Sequence, residues 1–118
     1  MATSVEFRTL LVLTPDLQLA VKADLLHLGA KLMAKGVITS DKYEELKNYH
    51  ISPANRAADL VQLVQDKVQQ NAQHYYTLTD AFESDRGQYG DILEKLQQTY
   101  KKISSHSTGN YVMLHVYI

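Results

Sequence analysis

The sequence predicts an all-α protein, an antiparallel bundle of five to six amphipathic helices, and three observations carry that prediction. Apolar residues recur at spacings of three and four over most of the chain, as in Val21, Leu25, Leu28 and Leu32. A capping residue followed by proline, the signature of a helix start, occurs at Thr14-Pro15 and again at Ser52-Pro53. The 118 residues include only these two prolines and five glycines, so few breakers interrupt the periodic segments. Short amphipathic helices bury their stripes only by packing on one another, which makes a bundle the expected architecture.

The first helix begins at Thr14-Pro15-Asp16, where a threonine cap, a proline at the first helical position and an early acid coincide. Its stripe of Val21, Leu25, Leu28 and Leu32, widened by Leu26 and Met33, stops at Gly36. Gly29 lies inside it at a cost of about 1 kcal/mol relative to alanine and marks a bend or a close helix crossing. A second helix is expected over 40–48, capped by Thr39 or Ser40, with Tyr43 and Leu46 inward. The third opens at Ser52-Pro53 and lines up Ala57, Leu60, Val61, Val64 and Val68. The fourth, over 72–83, presents Tyr75, Leu78, Thr79 and Phe82; the fifth, over 88–102, presents Ile92, Leu93, Leu96 and Tyr100. Asp85-Arg86-Gly87 is the turn between them.

The two ends read differently. Val5-Glu6-Phe7-Arg8 alternates apolar with charged residues, and Tyr111 to Ile118 is uncharged and rich in β-branched and aromatic residues. Both resemble strands, which could pair as a short ribbon on the bundle. Equally, the tail could belong to a longer parent chain or be disordered. The domain plan is an extension over 1–13, a bundle over 14–103 and a tail over 104–118.

Composition narrows the function classes. Twelve Lys and Arg against thirteen Asp and Glu leave a net charge of −1, so no global field attracts nucleic acid or an anionic membrane. The lack of cysteine removes disulfides, thiolate metal sites and cysteine nucleophiles, and fits a cytoplasmic location. Leu10-Leu11-Val12-Leu13 is far shorter than the ~20 residues that span a bilayer and has no secretion-signal flanks.

A catalytic reading finds no foothold. The five histidines, His27, His50, His74, His106 and His115, show no HExxH and no pair three to five apart, so no metal site is expected. Ser104-Ser105-His106-Ser107 reads as a polar linker, because a nucleophile and its base meet in space more than along sequence. Glu44 and Glu45 point about 100° apart on a helix and cannot converge on one substrate. No glycine-rich phosphate loop occurs, and Tyr75, Tyr76 and Tyr89 lack the basic groove that base stacking on nucleic acid requires. The expectation is therefore no enzyme, no cofactor and no nucleic-acid or membrane partner.

What remains is surface charge. Lys22, Lys31 and Lys35 fall on the first predicted helix, while Asp41, Glu44, Glu45 and Asp59 fall on the second and third. The ordinary reading is that these charges solubilise the helices. The alternative is a self-complementary surface, with the basic side of one copy docking on the acidic side of the next. Because the two patches differ, such a contact is heterologous and runs on into an open helix or a ring.

Three segments bring in a family. Leu32 to Thr39, Asp41 to Leu46, and Arg56-Ala57-Ala58-Asp59-Leu60-Val61, followed by Tyr76-Thr77-Leu78-Thr79-Asp80-Ala81-Phe82, resemble the caspase recruitment domains of the death-fold superfamily in order and spacing. The resemblance covers roughly 16–100. It implies a six-helix Greek-key bundle, often with a bent first helix, that binds like domains and forms filaments recruiting caspases, kinases or other effectors in apoptosis, inflammation or innate immunity. It further implies that Lys22, Lys31, Lys35, Asp41, Glu44, Glu45, Arg56 and Asp59 are contact residues. Two departures stand against it: Gln69-Gln70-Asn71 replaces the glycine usual between the third and fourth helices, and 104–110 is polar and turn-like where a sixth helix belongs. The competing reading is a helical structural subunit that closes into a two-fold dimer; a weaker third is a ligand carrier or small enzyme with a pocket inside the bundle.

Overall fold

The break that shapes the start of the fold is dictated by Pro15. In the computed structural model, which describes residues 3–115 and the side chains through residue 105, α1 (Val5–Val12) and α2 (Thr14–Lys22) are separated by Leu13 alone. Proline has no N–H to donate to the carbonyl four residues back, and its ring crowds that carbonyl, so a continuous helix cannot pass. The carbonyls released at the break find other donors. The Thr14 hydroxyl donates to Leu10 O (3.2 Å) and Leu11 O (2.9 Å), and the buried Gln65 side chain reaches across to donate to Leu10 O (3.3 Å) and Thr14 Oγ1 (2.7 Å).

The remaining helices among the described residues are α3 (Leu25–Ala34), α4 (Ser40–Leu46), α5 (Pro53–Gln70), α6 (Gln73–Glu83) and α7 (Arg86–His115). Thr39 and Ser52 cap α4 and α5 by accepting from Lys42 N (3.2 Å) and Asn55 N (3.2 Å). Gly36, at φ +79°, ends α3: its N–H donates to Met33 O and that of Val37 to Leu32 O, a pairing that needs the left-handed residue only glycine adopts without strain. α2 packs along α5, α1 and α6 lie against α7, and α3 crosses α4, α5 and α6. The all-α helical bundle expected from the periodicity is thus the fold, and the predicted stripes form one core.

Several expectations change. Val5-Glu6-Phe7-Arg8 is helix and not strand: Ser4 caps it by accepting from Phe7 N (3.1 Å), and four alternating residues do not distinguish the two periods. Residues 111–115 continue the helical backbone of α7, because a weak β propensity yields to an established helix; 116–118 lie outside the described residues. No ribbon pairs the two ends within the described residues. Within the segment expected as an extension, Leu10 and Leu13 sit in the core. The predicted first helix over 14–36 is two helices, turned at Ala23-Asp24, where Asp24 leaves the helical region (φ −147°, ψ 52°). Arg86 and Gly87, assigned to a turn, already belong to α7, and the polar stretch 104–110 is helical in its backbone. Gly29 marks a close crossing. A Cβ there would stand 3.0 Å from Leu46 Cδ1 and 3.3 Å from Tyr43 Cδ1, so its lack of a side chain lets α4 approach α3.

Candidate interaction surface

The eight sequence-predicted contact residues fall into three groups. Lys22, Lys35, Asp41 and Asp59 are exposed, and among the described residues they form no hydrogen bond or ion pair through their side chains. Glu44 and Glu45 are exposed but paired along their own helix, Glu44 with Lys47 (3.1 Å) and Glu45 with Lys42 (3.5 Å). Such one-turn pairs contribute only about 0.2–0.5 kcal/mol, so both carboxylates can exchange partners cheaply. Lys31 and Arg56 are engaged within the fold. The Lys31 ammonium donates to Ser84 Oγ (2.9 Å), tying α3 to the end of α6. The Arg56 guanidinium donates to Leu46 O (2.7 Å) and Ile51 O (3.1 Å), closing the C-terminal end of α4 onto the first turn of α5. It is a brace, and its side chain is half-buried.

Helix ends distribute the free charges. Lys22 and Lys35 stand at or just past the C-termini of α2 and α3, where partial negative charge favours a cation, and Asp41 stands in the first turn of α4, where partial positive charge favours an anion. The same positions that stabilise these side chains locally place opposite signs on different elements.

A polar cluster not legible in the sequence links α1, α6 and α7. Tyr76 and Tyr100 both donate to Glu6 Oε2 (2.6 and 3.2 Å), with their hydroxyls 3.1 Å apart. Accepting from Tyr76, the Glu6 carboxylate holds that phenol protonated and raises its pKa well above the usual range. Burial, then the neighbouring Tyr100 and Glu6, push Tyr75 up to about 12. These rings border an open groove of about 400 Å³ with Thr79, Gln97 and Lys101. A second open groove, about 280 Å³, runs between α2 and α7 beside Leu19 and is crossed by the Asp16–Lys95 ion pair (3.3 Å).

Among the described residues, an enclosed space inside the bundle is much smaller. The void lined by Leu10, Leu17, Leu28, Leu32, Leu60 and Phe82 measures about 10 Å³, room for at most one water, and its walls are almost entirely apolar. Among groups able to hold a cation, the described residues bring together Asp24, His27 and Asp85, from segments far apart in the chain.

The chain matches no family model, no curated protein and no solved structure.

Exposed apolar residues were missed by sequence reasoning as well. Leu11, Val12 and Leu19 are 48%, 61% and 71% exposed at the end of α1 and on α2. Leu10-Leu11-Val12-Leu13 looked like a uniformly apolar run; only the break at Pro15 shows that it splits between core and solvent. No helix among the described residues is long and apolar enough to cross a membrane.

Proposed function

We propose that the protein is a non-catalytic, cytoplasmic interaction module of the caspase recruitment domain type, assembling with like domains through opposed charged helix surfaces. The observation that carries the reading is the set of exposed charges without partners, basic at the ends of α2 and α3 (Lys22 and Lys35) and acidic on α4 and α5 (Asp41 and Asp59). Glu44 and Glu45, released from weak local pairs, extend the acidic side. The all-α bundle supports it at the level of architecture: with α2 and α3 taken together as the first helix, α4, α5, α6 and α7 follow as the second to fifth. A contact between unlike patches leaves one unused patch on each of the two copies, so association continues and weakens as salt shortens the Debye length from about 8 Å to about 3 Å.

Complementary charge reversal tests the proposal. A Lys22→Glu, Lys35→Glu variant and an Asp41→Lys, Asp59→Lys variant should each lose self-association, and an equimolar mixture should regain it. Self-association that persists in either variant, or a mixture that stays monomeric, rules these surfaces out. A second reading has its own observation: Leu11, Val12 and Leu19 could form the centre of a closed two-fold dimer, whose stability would be nearly independent of salt.

A further inference from the structure

We propose that Asp24, His27 and Asp85 form a site for a divalent transition-metal ion that ties the start of α3 to the turn between α6 and α7. One ligand atom from each of the three lies within 4.8 Å of the others. They come from two places in the fold. Asp24 occupies the N-cap position of α3 yet makes no capping hydrogen bond, which leaves its carboxylate free for another partner; His27 is in the first turn of the same helix; Asp85 directly precedes α7. Neither carboxylate has an ion-pair partner among the described residues. Lys31, on the same side of α3, directs its ammonium to Ser84 Oγ.

Two carboxylates at helix starts are by themselves explained by the partial positive charge there. Tyr89 is not. Its side chain is 1% exposed, and its hydroxyl is a buried polar group without a hydrogen-bond partner among the described residues. Tyr89 N donates to Asp85 O (3.0 Å), and the ring stacks against Phe82 with centroids 4.7 Å apart. The backbone bond of Tyr89 to Asp85 O sets this buried residue, with its unpartnered hydroxyl, against the segment that supplies one of the three ligands.

The donor set selects the class of ion. An imidazole nitrogen with two carboxylate oxygens suits zinc, cobalt or manganese better than the all-oxygen preference of calcium or magnesium. Zinc bonds of about 2.0–2.2 Å require the ligand atoms to close to roughly 3.3 Å. His27 is exposed and both aspartates are half-buried, so their side chains have room to make that adjustment. Three protein ligands leave one position for water. The site lies within a single copy and does not depend on how copies associate.

Calorimetric titration of the full chain with zinc chloride, with calcium and magnesium chloride as parallel arms, tests this. The expected result is one zinc ion per chain at micromolar affinity, weakened about tenfold or more by Asp85→Asn and by His27→Gln. Helical circular dichroism without metal should be the same in Asp85→Asn and His27→Gln as in the parent, since both positions are at least partly exposed. Zinc binding unchanged in those two variants, no binding up to millimolar zinc, or equal affinity for calcium or magnesium would each overturn the assignment.

Discussion

Truncating Leu10 to alanine should destabilise the protein by about 4 kcal/mol. Leu10 is fully buried on α1, a segment outside the predicted bundle, and it lines the apolar void at the centre of the core. Removing three carbon groups from an apolar environment costs about 0.8 kcal/mol each, roughly 2.4 kcal/mol. If the neighbours stay in place, about 60 Å³ of new void at about 24 cal/mol per Å³ adds roughly 1.5 kcal/mol. For a chain of this length that sum corresponds to a fall in Tm of roughly 15 °C. Thermal denaturation followed by circular dichroism reads it directly, with Leu11→Ala as the matched control. Leu11 is 48% exposed, and its truncation should cost less than about 1 kcal/mol. A fall below about 3 °C for Leu10→Ala, or equal falls at the two positions, would refute the place of α1 in the core.

Other parts of the structure make further predictions. Arg56→Ala should lower stability by about 1–3 kcal/mol in urea titrations, because Leu46 O and Ile51 O lose a charged donor; a neutral result would show that Arg56 is free for a partner. Gln65→Leu should cost a similar amount, about 1–3 kcal/mol, by removing the donor shared between Leu10 O and Thr14 Oγ1, and an unchanged melt would show that the kink at Leu13 closes without it. Tyr75 has a folded-state pKa of about 12 against 10.0 when unfolded, so the stability it contributes is complete below pH 10 and is lost as pH rises toward 12. Tyrosinate absorbance and helical signal followed together should change in parallel over that window; full tyrosine ionisation near pH 10 with the helices intact would contradict it. Glu6→Ala should return the Tyr76 phenol toward the ordinary range, adding a tyrosine that ionises before the fold is lost.

How much of this could be read beforehand depended on whether the signal was local. Caps and stops were legible because they lie within one turn: Thr39, Ser52-Pro53 and Gly36 each satisfy their own helix end. Stripes such as Leu60, Val61, Val64 and Val68 were legible for the same reason. The helix break at Ala23-Asp24 was not, since no glycine or proline marks it and Val21, Leu25, Leu28 and Leu32 keep their spacing across a two-residue turn. Proline at a first helical position announced a start at Thr14 but concealed that another helix runs into it from the other side. Contacts across the chain were invisible: Glu6 meets Tyr76 and Tyr100, Gln65 meets Thr14, and Asp85 meets Asp24, each pairing decided by packing. Among the predicted contact residues, sequence placed the charges but could not show that Arg56 turns inward while Asp41 and Asp59 stay free.

The most direct test of charge-driven assembly is light scattering combined with negative-stain microscopy of the purified chain across protein and salt concentration. Open-ended polymers that lengthen with concentration, dissolve as salt rises and vanish in a Glu44→Lys, Glu45→Lys variant with an unchanged melt are the predicted result. A dimer of fixed size at every salt concentration would contradict it and shift the interface to Leu11, Val12 and Leu19, and a strict monomer throughout would contradict self-assembly altogether.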